Sequence, residues 1–197
     1  MLRSLVGSEM CIRDSASTVG LMMCHVFGVR DQRAYPFAVD LGVAMQITNI
    51  ARDILEDAER DRLYVPSTLL DAPVSCEGLT RGDADQRANA YQGAMRMLDI
   101  ADEYYASAAL GYGYLPPSVR QAIKVAARLY QAIGEKVSRN ETAYWQRRTV
   151  VSTERKCLLI AELFVQRMRD GSSTLKVGKY QHAEHLHLAL DQRRFTA

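Results

Sequence analysis

The chain has 197 residues, 48% of them hydrophobic, enough for one domain with a buried core. Its 25 Lys and Arg against 23 Asp and Glu leave a formal charge of +2, so no bulk field points to a nucleic-acid partner. No apolar run approaches the roughly 20 residues that span a bilayer, and Leu5-Val6 is too short an apolar core for a signal peptide. The four cysteines (Cys11, Cys24, Cys76, Cys157) form no CxxC pair, which fits free thiols in a reducing cytoplasm better than disulfides or a zinc site.

Residues 1–15, MLRSLVGSEMCIRDS, show neither helical nor strand period, and SEMCIRDS resembles translated sequencing-adapter read-through. They are read as an artefactual or disordered leader and set apart from the fold. Helical sequence begins at Ala16 and defines a domain over residues 16–170. STVGLMMCHVFGV predicts a first apolar helix closed around Gly28. YPFAVDLGVAMQITNIARDILEDAERD predicts one long helix opened by Pro36. RLYVPSTLLDAPVSCEGLTRGD, with Pro66 and Pro73, reads as a loop-rich connector. A long helix follows to Tyr114, with Asp83 or Asp85 as its cap, and Pro116-Pro117 ends it. Ser118 can cap the next helix, SVRQAIKVAARLYQAIGEKVSRN, and STERKCLLIAELFVQRMR is the last. Residues 171–197 form a polar tail with no assignable role. With no repeat and no strand pair, the fold class is all-α.

The long second helix carries an unusual stripe. Residues four apart on a helix drift by only about 40°, so Gly42, Gln46, Asn49, Asp53 and Asp57 share an arc of about 80°. Val43, Ile47, Ile50 and Ile54 occupy the neighbouring arc, and the only charge between Ala38 and Ala51 is Asp40. The stripe therefore borders the buried side of the helix. Buried carboxylates one turn apart repel, and each resists ionising without compensation. A hard divalent cation supplies it: Asp53 and Asp57 lie about 6 Å apart along a helix axis, and Asn49 adds a neutral oxygen one turn earlier. Oxygen-only ligands favour magnesium, with manganese as the alternative, over zinc. Arg52, Arg60 and Arg62 stand nearby for a phosphate's remaining charge. The plainer account is a solvated acidic helix end held by Glu56–Arg60 and Asp57–Arg60 pairs, and spacing alone does not separate the two.

The whole string separates them. LGVAMQITNIARDILEDAERDRLYVP resembles the second signature of the squalene and phytoene synthase family. It matches through Leu41-Gly42, Gln46, Asn49, Arg52-Asp53, Asp57 and the Arg62-x-Tyr64-x-Pro66 ending. ASTVGLMMCHVFGV is similar to that family's pocket-lining helix. ADEYYASAALGYGYLPP and AARLYQAIGEKVSRN are similar to its later helices, and RRTVVSTERKC to its basic C-terminal segment. The wording IARDILED is more like its bacterial phytoene-forming members than its squalene-forming ones.

The resemblance implies an isoprenoid-synthase-type helical bundle around a central cavity, incomplete here at the N-terminus. It implies head-to-head joining of two geranylgeranyl diphosphates to phytoene, in carotenoid biosynthesis, with magnesium (manganese as the alternative) and no NADPH. The nearest enzymatic alternative is squalene or dehydrosqualene formation from farnesyl diphosphate; the other class is a non-catalytic helical binding protein. Carried over by position, Asn49, Asp53 and Asp57 would hold the metal, with Gln46, Asp53 and Asp57 at the reacting end. Arg62, Tyr64, Tyr130 and one of Arg147 and Arg148 would contact diphosphate. Val19, Gly20, Met23, Leu41 and Met45 would line the hydrocarbon tunnel, although such apolar residues equally describe core packing. Long hydrocarbon substrates make a cytoplasmic enzyme loosely peripheral to a membrane compatible with this reading, though no amphipathic anchor stands out. Nothing in the sequence sets the oligomeric state.

The family's first aspartate-rich motif belongs upstream of the pocket-lining helix, where this chain has no room for it, and CIRDS stands where a tyrosine-bearing stretch is expected. The chain is therefore expected to be the C-terminal part of a synthase behind an artefactual leader, and to be inactive as written. In the tail, HAEHLH offers His182, His185 and His187 with Glu184, but a di-iron bundle needs two Glu-x-x-His pairs, so no metal is expected there. Trp145, beside a basic stretch, reads as helix packing more simply than as a nucleic-acid stacking platform.

Overall fold

A computed structural model describes residues 17–169 together with His182 and Leu186. Every regular element among these residues is helical. In chain order they are α1 (Ser17–Val26), α2 (Tyr35–Arg52), α3 (Ile54–Ala58), α4 (Cys76–Arg81), α5 (Ala84–Leu110), α6 (Pro117–Val137), α7 (Glu141–Gln146) and α8 (Thr153–Arg169), with 3₁₀ turns at Gln32–Ala34, Ser67–Leu69 and Gly111–Tyr114.

Local chemistry sets most of the boundaries. The first helix ends where Gly28 takes a left-handed φ of 70° and Val29 N–H closes back on the Cys24 carbonyl at 2.9 Å. Asp83, not Asp85, caps α5 by accepting from the Gln86 amide at 3.0 Å. Ser118 is not a cap: α6 begins one residue earlier, at Pro117, which has no N–H to satisfy. The connector is less loop-rich than its prolines suggest. Ser75 accepts from Gly78 N–H and Gly82 closes the far end at φ 85°, so α4 forms between them.

Helix α2 is the axis of the fold, packed on α1, α5 and α6. Its inner face puts Val43, Ala44, Ile50 and Ala51 into one cluster with Ile54, Leu79, Met97, Tyr105 and Ala127. The crossing with α1 is so close that a Cβ on Gly20 would come within 2.4 Å of the Ala38 carbonyl oxygen, which leaves only glycine at that position.

At the N-terminal half of α2 lies a wholly buried carboxylate. Asp40 accepts from the Ser107 hydroxyl at 2.6 Å and lies 2.8 Å from His182 Nε2. His182 sits edge-on to Phe37, and Leu186 is buried with its carbonyl accepting from the Tyr104 hydroxyl at 3.0 Å. Two residues of the C-terminal segment thus reach the body of the domain. The remaining HAEHLH histidines, His185 and His187, and the leader lie outside the described residues. No described helix is long and apolar enough to cross a membrane.

Candidate functional site

The long helix expected over 35–61 is two helices. Asp53 stands between them with φ −105° and ψ 16°, so α2 ends at Arg52 and α3 starts at Ile54. The Asp53 amide still reaches back to the Asn49 carbonyl at 3.0 Å, and its own carbonyl accepts from Asp57 N–H at 2.9 Å. The axial spacing inferred for a continuous helix does not carry across this break. Backbone bonds still tie Asn49 to Asp53 and Asp53 to Asp57, and the Asp57 carboxyl stays close enough to feel the Asp53 charge.

Two guanidiniums meet the Asp53 carboxylate. Arg52 contacts both oxygens at 2.7 and 2.5 Å, and Arg148, from beyond α7, approaches the same pair at 3.2 and 3.1 Å. Arg148 also lies 3.5 Å from Glu56. Of the two candidate arginines, Arg148 is therefore the one brought to the stripe. Arg147 faces an adjacent hollow of about 720 Å³ that it shares with Lys136, Arg139 and Arg155. Neither Glu56 nor Asp57 forms the expected surface pair with Arg60: Glu56 turns to Arg148, and Arg60 acts on Asp57 only through space.

The two carboxylates are pushed in opposite directions. Burial raises the Asp53 pKa, but the hydrogen bonds and charges of Arg52 and Arg148 outweigh it and hold the carboxyl below its ordinary range. At Asp57, burial and then the neighbouring Asp53 charge raise the pKa, and the more distant Arg60 and Arg62 do not cancel them. One acid is neutralised by the protein, and the next is not. That asymmetry, in an oxygen-only donor set with Asn49, fits a hard cation chemically. Among the described residues no three His, Cys, Asp or Glu side chains come together as a metal cluster, so two carboxylates and an amide are what this edge offers.

The other candidates fall into three places. Gln46, Leu41 and Met45 are half-buried along α2, with Leu41 and Met45 packed on the main core. Tyr64 and Tyr130 are half-buried on that core, and Tyr130 is close enough to raise the Arg52 pKa slightly; Arg62 is exposed, with its amide on the Asp57 carbonyl at 2.9 Å. Val19 and Met23 lie on the outer face of α1, 51% and 38% exposed, while Gly20 faces α2. The larger cavity, about 960 Å³, runs between α5 and α6 past Thr48, Tyr105 and Tyr112 and does not reach Asp53. Burial pushes the Tyr112 phenol up to about 12.

Sequence reasoning missed Tyr144. It is buried on α7, and its hydroxyl donates to the Ala51 carbonyl at 2.8 Å, two residues before Asp53. Only its position four residues before Arg148 hints at this from the sequence.

Comparison with known proteins bears on the same edge. The family model described as squalene/phytoene synthase matches residues 11–155. The chain belongs to the squalene/phytoene synthase family. It is 42% identical over 148 residues to a 15-cis-phytoene synthase of Enterobacter agglomerans, covering 74% of this chain and 49% of that protein. It is 42% identical over 146 residues to a phytoene synthase of Pseudescherichia vulneris, covering 74% and 47%. With a 15-cis-phytoene synthase of Pantoea ananas it shares 38% identity over 161 residues, 78% of this chain and 51% of the relative. The chain thus spans about half the length of the relatives it matches. Within the family match lie the whole stripe and both arginine candidates, Arg147 and Arg148.

Proposed function

We propose that this chain carries the second acidic half-site of a prenyltransferase that joins two geranylgeranyl diphosphates head to head, forming phytoene for carotenoid biosynthesis. The observation that carries the reading is the paired state of the stripe: Asp53 neutralised by two arginines and Asp57, one turn on, left with its burial uncompensated. The names of relatives at about 40% identity support the substrate class.

On this reading Asn49, Asp53 and Asp57 hold magnesium, with manganese as a substitute, and water and diphosphate oxygens complete its shell. The ion's chemistry is to offset negative charge on a departing diphosphate. The chain's own groups do the rest. Arg148 and Arg52 orient Asp53, and Arg148 also stands where it can turn to an incoming diphosphate oxygen, with Arg147 beside it in the basic hollow. On the same reading Arg62, Tyr64 and Tyr130 contact diphosphate, and Gln46 serves the reacting end. Leu41, Met45 and Gly20 lie on the hydrocarbon's side, away from water, and Val19 and Met23, exposed on the outer face of α1, border it only from the open side. No reductant enters this route, whereas squalene formation would need NADPH. The setting is the cytoplasm, with loose contact to a membrane surface where the hydrocarbon product leaves.

The test is titration of the purified chain with geranylgeranyl or farnesyl diphosphate, with and without magnesium. Magnesium-dependent binding of the longer diphosphate, lost in Asp53→Asn, is the expected result. A preference for farnesyl diphosphate would move the reading to squalene or dehydrosqualene formation. Binding that ignores both magnesium and the substitution would leave a helical binding protein. Phytoene formation itself is assayed with residues 16–197 joined behind the N-terminal half of the Enterobacter agglomerans relative.

A further inference from the structure

The interruption of the helix at Asp53 has no local cause. No proline or glycine stands within four residues on either side. Breaks without them come from a π-bulge or from a side chain or a water inserted into the i→i−4 ladder, and no i→i−5 bond closes across Asp53. The inserted group here is the Tyr144 phenol. Its hydroxyl donates to the Ala51 carbonyl at 2.8 Å, and the Ile54 amide lies near the phenol oxygen. In an unbroken helix those two backbone groups would be matched by Leu55 N–H and the Ile50 carbonyl. Across Asp53 no helical turn closes, and the Ile50 carbonyl accepts from the Asp53 amide instead, at 3.3 Å. The hydroxyl therefore occupies an acceptor that the break sets loose before Asp53, close to the Ile54 amide freed after it.

The ring that carries this hydroxyl is itself held. Tyr144 is 5% exposed, with Tyr91 tilted against it at 5.4 Å and Trp145 edge-on at 4.8 Å. Four residues later the same segment sends Arg148 to the Asp53 carboxylate. The stretch from α7 to Arg148 thus grips Asp53 at two points, its backbone and its side chain.

We propose that Tyr144 is a positioning residue for Asp53: its phenol keeps the helix open between Arg52 and Ile54, and the open helix aims the Asp53 carboxylate along the edge shared with Asn49 and Asp57. The ligand role of that carboxylate rests on the function proposed above; the wedge itself does not.

Tyr144→Phe keeps the ring and removes the hydroxyl. Tyr91→Phe is the control, because it keeps the ring that packs on Tyr144 and removes only a buried hydroxyl that donates to the Val137 carbonyl at 3.0 Å. Backbone amide exchange of the full chain is followed by NMR in both variants. In Tyr144→Phe the Ala51 and Ile50 carbonyls can take back the Leu55 and Ile54 amides, so those two amides should exchange roughly tenfold slower while Val43, Ala44 and Ile47 keep their protection. Tyr91→Phe should leave the break at its wild-type rate. Manganese binding, read from water-proton relaxation, should weaken roughly three- to tenfold in Tyr144→Phe and stay unchanged in Tyr91→Phe. Uniform acceleration across α2, or Ile54 and Leu55 amides that exchange as fast as in wild type, would reduce the phenol to ordinary core packing and overturn the proposal. A wild-type chain that takes up no manganese would sink the metal reading alone, since the exchange pattern judges the wedge without any ion. Should the variant fail to fold, the wild-type Leu55 amide decides: exchange at the rate of an open helix end supports the wedge, and protection refutes it.

Discussion

The two ends of α2 each hold a carboxylate away from bulk water, and they treat it in opposite ways. Asp40 is fully buried and met by a hydroxyl from α5 and an imidazole from the C-terminal segment, all within a regular stretch of helix. Asp53 is part-buried at a helix break, shared between two guanidiniums, with a second acid one turn away that neither of them reaches. The first arrangement uses up its acid inside the fold. The second holds one acid in place and leaves electrostatic demand beside it, which is what a binding edge needs. Burial alone therefore does not mark a functional carboxylate; the state of its neighbours does.

The sharpest way to break that contrast is at the Asp40 end. Asp40→Ala withdraws the partner of both Ser107 and His182 and should lower unfolding stability by about 3 kcal/mol in urea, with no change in diphosphate binding. If Asp53→Ala costs as much, the two ends are the same kind of structure and the contrast fails. Next comes Gly20→Ala, which forces α1 off the Ala38 carbonyl. A loss of about 2 kcal/mol is expected, seen as a lower melting temperature and faster exchange in α1.

Arg148→Ala should cost less, about 1 kcal/mol, because that guanidinium is 47% exposed and screened by solvent. Its pH dependence is diagnostic. The folded pKa of Asp53 lies below the unfolded one, so the pairing contributes above the unfolded value and is lost as pH falls through the folded value. The stability gap between wild type and variant should close across that acid window. The smallest effect has the opposite sign. Asp57 has a folded pKa above its unfolded one, so its charge opposes folding at neutral pH, and that opposition fades as pH falls through the folded pKa. Asp57→Asn should raise the melting temperature of the metal-free chain by roughly 2 °C at pH 7 and by nothing in acid, while weakening magnesium binding.

The helices and the stripe were legible because both are local. Apolar periodicity, Pro36, Gly28 and Asp83 act within a turn or two of themselves, and the order Asn49, Asp53, Asp57 needs only that each be bonded to the next. The break at Asp53 was not legible: IARDIL contains no breaker, and its cause is a phenol from residue 144. The choice between Arg147 and Arg148 was open for the same reason, since a one-residue register is decided by where α7 docks. Asp40 stood out as a lone charge in an apolar run, but its partners lie 67 and 142 residues on, beyond any spacing rule. The HAEHLH segment, read as part of a polar tail, contributes at His182 a contact that its composition does not announce.

That last contact sets a timetable for synthesis. On the ribosome α2 is complete long before residue 182 has been added, and at about 5–20 residues per second the delay is on the order of ten seconds. In the later part of that interval, once residue 107 has been added, Asp40 can meet Ser107, but its histidine does not yet exist. Docking of α2 on α5 in its final form thus waits until residue 182 has been added, and a premature stop codon anywhere before His182 would release a protein whose innermost carboxylate never receives its imidazole.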